Sequence, residues 1–211
     1  MTTGARPLRA DAARNRDKLL VTAARVFGER GLDAPLEEIA RQAGVSIGTL
    51  YNHFPTREAF FDAILPERLA ALEQVATAAL ADADPWNGFT GFLEGLFELQ
   101  SNDHGLNDAL AGRLPMSPEV LEACHRGFQH AERIIERAKK SGELRADFEP
   151  QDLTPLMWAM SQVIRESMGV APQAWRRHLA LFLDGLRAGA ARPVPVPPLT
   201  DAQLAEVLRS R

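Results

Sequence analysis

AGVSIGTLYNHFPTREAF, Ala43 to Phe60, holds a helix stop, a turn, a short helix and the start of another helix within eighteen residues. Gly44 suits the left-handed C-terminal stop, and Ser46 suits an N-cap whose hydroxyl accepts from free N–H groups of the next turn. Pro55 closes the short helix and Thr56 can cap the following one. Projected at ~100° per residue, Ile47, Leu50, Tyr51 and Phe54 fall on one side of the short helix, and Gly48, Thr49, Asn52 and His53 on the other. The second face is small, uncharged and rich in hydrogen-bonding groups, where a core helix would carry hydrocarbon.

Working outward, Pro35 suits a first helical position and Leu36, Ile39, Ala40 and Ala43 form a stripe that ends at Gly44. Before it, Asp11 to Arg30 carries Leu19, Leu20, Ala23, Ala24, Val26 and Phe27 at helical spacing, with Gly31 as its stop. The second and third helices, joined by Gly-Val-Ser, therefore read as a helix-turn-helix, whose second helix enters the DNA major groove. Asn52 is suited to adenine N6/N7, Thr49 to a phosphate or a thymine methyl, and His53 to a phosphate. Gly48 lets the backbone come close. Tyr51 can pack its ring while its hydroxyl reaches outward. Arg57 adds a cation beside the free N–H groups of the next helix start.

EEIARQAGVSIGTLYNHFPTREAFFDAI resembles the DNA-binding region of TetR-type transcriptional regulators, and the likeness extends from about Asp11 to Ile64. The run GVSxGTLYxHF followed by Thr-Arg-Glu carries it. The resemblance implies an all-α homodimer: a three-helix DNA-binding head (residues 1–55) joined by helix four to a ligand-binding and dimerisation body (56–190). In such proteins the body takes a small-molecule effector and the two heads move apart, releasing double-stranded operator DNA. By position in the motif, the DNA-contacting roles fall on Ile47, Gly48, Thr49, Tyr51, Asn52, His53 and Arg57. Relatives often open helix two with Thr or Ser and a base; here Leu36 and Glu37 stand there, and Arg41 is the nearest cation.

Charge is distributed in keeping with such a head. The whole chain has a formal net charge of −4, yet residues 1–57 hold nine Lys/Arg against six Asp/Glu, leaving the deficit to the remainder. Arg6, Arg9, Arg14, Arg16 and Lys18 could form a DNA-contacting arm or a solvated tail. No stretch nears the ~18 apolar residues of a membrane span, and the N-terminus lacks a signal-like apolar run, so a cytoplasmic protein is expected. The lone Cys124 excludes an internal disulfide framework, and no metal or cofactor is expected.

With 45% hydrophobic residues in 211, the chain can bury a sizeable core. Helix four runs toward Ala83 with a kink expected at Pro66. Asp84-Pro85 opens a fifth helix bearing Trp86, Phe89, Phe92, Leu93, Leu96 and Phe97; a short sixth spans Leu106 to Leu114. Ser117-Pro118 opens a seventh that stops at Ser141-Gly142, and about nine helices end with Pro150 to Gly169 and Pro172 to Ala190. A ligand pocket among helices five to eight has Trp86, Phe89, Phe92, His104, His125 and Phe128 as candidate lining and suits a mainly apolar molecule. The last two helices are the expected dimer surface by resemblance, with Trp158, Leu181 and Phe182 off the main stripes. A Pro-rich segment after residue 190 leads to Thr200 and Gln203, a possible capping box for a terminal helix bearing Leu204, Val207 and Leu208.

The competing classes are an enzyme and a helical binding or interaction protein without DNA binding. No phosphate loop, HExxH, metal-like Cys/His spacing or Ser-centred nucleophile elbow is present. A pure interaction module would leave Thr49, Asn52 and His53 without a purpose.

Overall fold

The computed structural model describes residues 5–112 and 117–209, with side chains except at 5–9, 119 and 208–209. Among the described residues ten α-helices follow one another: α1 (Ala5–Arg30), α2 (Leu36–Ala43), α3 (Ile47–His53), α4 (Arg57–Ala81), α5 (Pro85–Asn102), α6 (His104–Leu110), α7 (Pro118–Lys140), α8 (Pro150–Ser167), α9 (Ala174–Leu186) and α10 (Asp201–Arg209). A 3-10 turn, Ala188–Ala190, follows α9. No helix among the described residues is long and apolar enough to cross a membrane.

The starts follow side-chain chemistry. Ser46, Thr56, Asp84, Asp103 and Ser117 each accept a first-turn backbone N–H with their side-chain oxygen, a bond typically contributing about 1 kcal/mol. Asp103 was not among the expected caps, and it moves the start of α6 from Leu106 back to His104. Leu114, the expected end of that helix, lies outside the described residues, as do the side chains of Arg6, Arg9 and Leu208. α1 begins at Ala5, not Asp11, because nothing between these positions breaks a helix; Pro7 falls in the first turn, where its missing N–H has no partner to lose. α4 continues through Pro66 and ends at Ala81. α9 stops at Leu186, four residues before the expected end.

Two apolar clusters organise the chain. One gathers Leu19, Val26, Phe27, Ile39, Leu50 and Phe54 with Phe60, Phe61, Ile64 and Leu65 of α4, and reaches Leu106 and Ala109 of α6 and Val120 of α7. The other gathers Trp86, Phe89, Leu93, Phe97, Ile134, Ile135, Phe148, Leu156, Ile164, Trp175 and Leu179. The N-terminal core thus runs past residue 55 and is continued by α4 and α6. In the tail the capping box forms: Gln203 N–H donates to Thr200 Oγ1 at 3.2 Å and Thr200 N–H to Gln203 Oε1 at 3.0 Å. Gln151 of α8 donates to Asp201 at 2.8 Å, so α10 is tethered to the start of α8.

Candidate nucleic-acid interface and effector cavity

α3 is held by two side chains one turn apart. Leu50 is fully buried, and Phe54 stacks on Phe60 with centroids 4.2 Å apart and planes 18° from parallel. Phe60 in turn meets Phe27 of α1 edge-on at 6.0 Å. Burying Leu50 and Phe54 is worth about 1.5–3 kcal/mol each, which is ample to seat a seven-residue helix that could not stand alone. The N-terminal turn is locked by Ser46, whose Oγ accepts Thr49 N–H at 3.1 Å and lies 2.9 Å from Thr49 Oγ1.

The projection placed Ile47 and Tyr51 on the anchored flank, and the structure corrects it. Ile47 is 38% and Tyr51 46% exposed, alongside exposed Gly48 and Asn52. Thr49 and His53 are half-buried. So short a helix is anchored along the single i, i+4 line of Leu50 and Phe54, which leaves Ile47, Gly48, Tyr51 and Asn52 outside. Two large apolar side chains standing in water beside amide and hydroxyl groups are the composition of a contact surface.

Arg57, expected at a phosphate, also makes contacts within the head. Its Nη1 donates to Ala34 O at 2.6 Å and to Leu32 O, and its guanidinium carbon lies 6.0 Å from the Phe27 ring centroid. The partly buried side chain braces the α1–α2 connection against the start of α4, because the carbonyls of that turn have no helical partners of their own. Arg41 is likewise committed: it donates to Glu38 through Nε at 2.9 Å and Nη2 at 2.5 Å. Those bonds, then one from Gln42, hold the Glu38 carboxyl down at about 2. Arg16 stands 5.4 Å over the Phe54 ring, which brings α1 beside the end of α3. Arg14 pairs with Asp11 within α1.

In the body a cavity of about 930 Å³ opens among α4, α5, α6, α7 and α8. Of the expected lining, Phe92 and Phe128 are there. Trp86 and Phe89 are not: both are buried in the core, 5.7 Å apart, with Phe148 edge-on to Phe89 at 5.9 Å. Nor are the two histidines. His125 is exposed on α7 with Nε2 3.3 Å from Gln129 Nε2, and His104 opens α6 against the end of α1. Trp158, expected at the dimer surface, lines the cavity. The spacing of aromatics did not single out Pro66, Cys124, His130 or Thr154, all of which line the cavity. Burial pushes the Cys124 thiol up, keeping it protonated. No group of three His, Cys, Asp or Glu side chains among the described residues could hold a metal ion. On α9, Leu181 is 59% and Phe182 41% exposed, leaving an apolar face uncovered.

This architecture has known counterparts. Residues 19–64 match the family model described as bacterial regulatory proteins, tetR family, and residues 84–188 the one described as transcriptional regulator SbtR-like, C-terminal domain. A crystal structure of a TetR transcriptional regulator from Streptomyces coelicolor is similar at 33% identity and TM-score 0.54, covering 82% of this chain and 98% of that one. A TetR transcription regulatory protein from Mycobacterium vanbaalenii is similar at 32% identity and TM-score 0.50, covering 86% and 99%. The HTH-type transcriptional regulator SrpR of Pseudomonas putida is 28% identical over 145 residues, 66% of this chain and 68% of its own. With its helix-turn-helix head and helical body, the chain belongs to the TetR family of transcriptional regulators.

Proposed function

We propose that the protein is a ligand-responsive repressor that binds a palindromic operator as a homodimer and leaves it when a small, mainly apolar molecule fills the cavity. The observation that carries the reading is the outer face of α3: Ile47, Gly48, Tyr51 and Asn52 stand exposed around a helix whose only deep anchors are Leu50 and Phe54. Asn52 offers a bidentate amide to adenine, and Thr49 and His53 supply flanking hydrogen bonds to the backbone. Arg57 serves this face by bracing the head.

On this reading residues 1–55 form the DNA-binding head, 56–190 the ligand-binding and dimerisation body, and 191–211 a tail. The exposed Leu181 and Phe182 support pairing through α9, and a two-fold pair sets operator half-sites about one helical turn apart or a multiple of it. Such a regulator works in the cytoplasm, and the reading gives the chain no catalytic role. Capture of genomic fragments on the purified protein, followed by sequencing, tests the proposal. Recovery of one palindromic class supports it, and a sequence-independent set of fragments contradicts it.

A further inference from the structure

Resting on the reading that the cavity receives the effector, its charge pattern tells what kind of effector fits. Three lining residues carry formal charge: Asp62 and Glu73 on α4, and Arg126 on α7. Arg126 reaches Glu122 at 3.7 Å, and both side chains stand well out in solvent, 60% and 76% exposed. Asp62 and Glu73 form no ion pair with any described residue. Eleven residues apart, they lie on nearly the same face of α4 and about 16 Å from each other along its axis. The half-buried Asp62 is the less hydrated of the two. Its surroundings add a second acceptor. Pro66, four residues on and also lining the cavity, has no N–H, so the Asp62 carbonyl lacks the i+4 donor that every ordinary helical carbonyl receives.

One end of an apolar cavity thus presents the Asp62 carboxylate beside a carbonyl that lacks its i+4 donor, both acceptors, and no cation among the described residues forms an ion pair with that carboxylate. A carboxylate or phosphate on a ligand would be repelled there. A hydroxyl could make one bond and compensate no charge. A protonated primary amine brings three donors and a positive charge, which match both groups. We propose that the effector is an apolar molecule bearing a protonated amine, held at the Asp62 end of α4 with its hydrocarbon against Phe92, Leu96, Phe128 and Met157. Asp62 lies five residues beyond Arg57, where α4 leaves the head, so the ammonium lands on the stem that carries α3.

The test is calorimetric titration of the full chain at pH 7.5 with four compounds of one skeleton. They are 4-tert-butylbenzylamine, 4-tert-butylbenzyl alcohol, 4-tert-butylbenzoate and the N,N,N-trimethyl derivative of the amine. The primary amine should bind about 10-fold or more tighter than the alcohol and the benzoate, in the range of a partly buried charge-assisted hydrogen bond. The quaternary compound keeps the charge and loses the donors, so it should fall between amine and alcohol. Asp62→Asn should remove the preference for the amine while the alcohol binds as before, which also shows that the variant is folded. Equal affinities of amine and alcohol, or an undiminished preference in Asp62→Asn, would overturn the amine assignment and leave the cavity as a binding site. Failure of the amine to bind at all would likewise overturn the amine assignment.

Discussion

The carboxylate of Asp108 on α6 accepts the backbone N–H of Leu32, in the α1–α2 turn, at 3.0 Å through Oδ2, while its Oδ1 lies 2.9 Å from Arg165 Nη2 on α8. One buried side chain therefore joins the DNA-binding head to the helix that walls the cavity. Its neighbour Asn107 donates to Ser161 O of α8 at 3.2 Å, and Ser161 Oγ donates to Gln100 Oε1 of α5 at 2.8 Å. At the other end of α6, Asp103 accepts Arg68 Nε at 2.6 Å, and Arg68 Nη2 reaches Ala24 O of α1 at 2.9 Å. Polar bonds of this kind have definite geometry, so a shift of α6 breaks or keeps them as a set.

Removing the junction should cost more than its exposed half suggests. Asp108→Ala leaves a buried N–H without an acceptor and Arg165 without its carboxylate. A loss of about 2–4 kcal/mol is expected in urea unfolding. Asp108→Asn keeps an acceptor for Leu32 and should lose about half as much. Equal stability of the two variants would separate the Leu32 bond from the effect.

Gly31 makes that junction possible. Its φ is +74°, and a Cβ there would stand 2.6 Å from Asp108 Oδ2. Gly31→Ala should destabilise by about 1–3 kcal/mol, from backbone strain together with the displaced carboxylate. Gly91, on the exposed face of α5 with nothing within 4 Å of an added Cβ, gives the opposite sign. Gly91→Ala should stabilise by about 0.5–1 kcal/mol, both glycine variants being read in urea unfolding.

Arg57 as a brace and Arg57 as a phosphate contact differ in a salt titration. A brace lost in Arg57→Ala lowers the melting temperature and leaves the slope of log affinity against log salt as it was. A lost phosphate contact lowers that slope by about 1. The inward bonds to Leu32 and Ala34 predict the first outcome.

The uncovered face of α9 yields a prediction about assembly. Phe182→Glu places a charge on the exposed apolar face without touching the buried Trp175, Leu179 and Leu186. Light scattering should give a dimer for the parent chain and a monomer for the variant, with helical content unchanged. A dimer that persists in the variant would move the interface elsewhere.

Caps and stripes made much of the helical order legible from residue types alone. Ser46, Thr56 and Ser117 announce helix starts by local chemistry, and Leu50 and Phe54 by their spacing. Asp103 escaped because no proline or apolar run follows it to frame a helix start. The cavity was less legible for a different reason. Trp86, Phe89 and Phe92 spread over a wide apolar arc of one helix, yet only Phe92 of the three reaches the cavity, since helix crossings and not periodicity decide which part of an arc meets empty space. Arg57 shows the same limit for charge: a cation at a helix start reads as available until the carbonyls of a distant turn are brought beside it.

The central claim is that the outer face of α3 reads DNA, and gel-shift titration of an operator recovered by genomic capture tests it most directly. Asn52→Ala and Tyr51→Ala should each weaken binding by at least about 10-fold, the loss expected of a base-reading contact, with circular dichroism and melting temperature unchanged because neither side chain anchors the helix. Affinity equal to that of the parent chain in both variants would contradict the account.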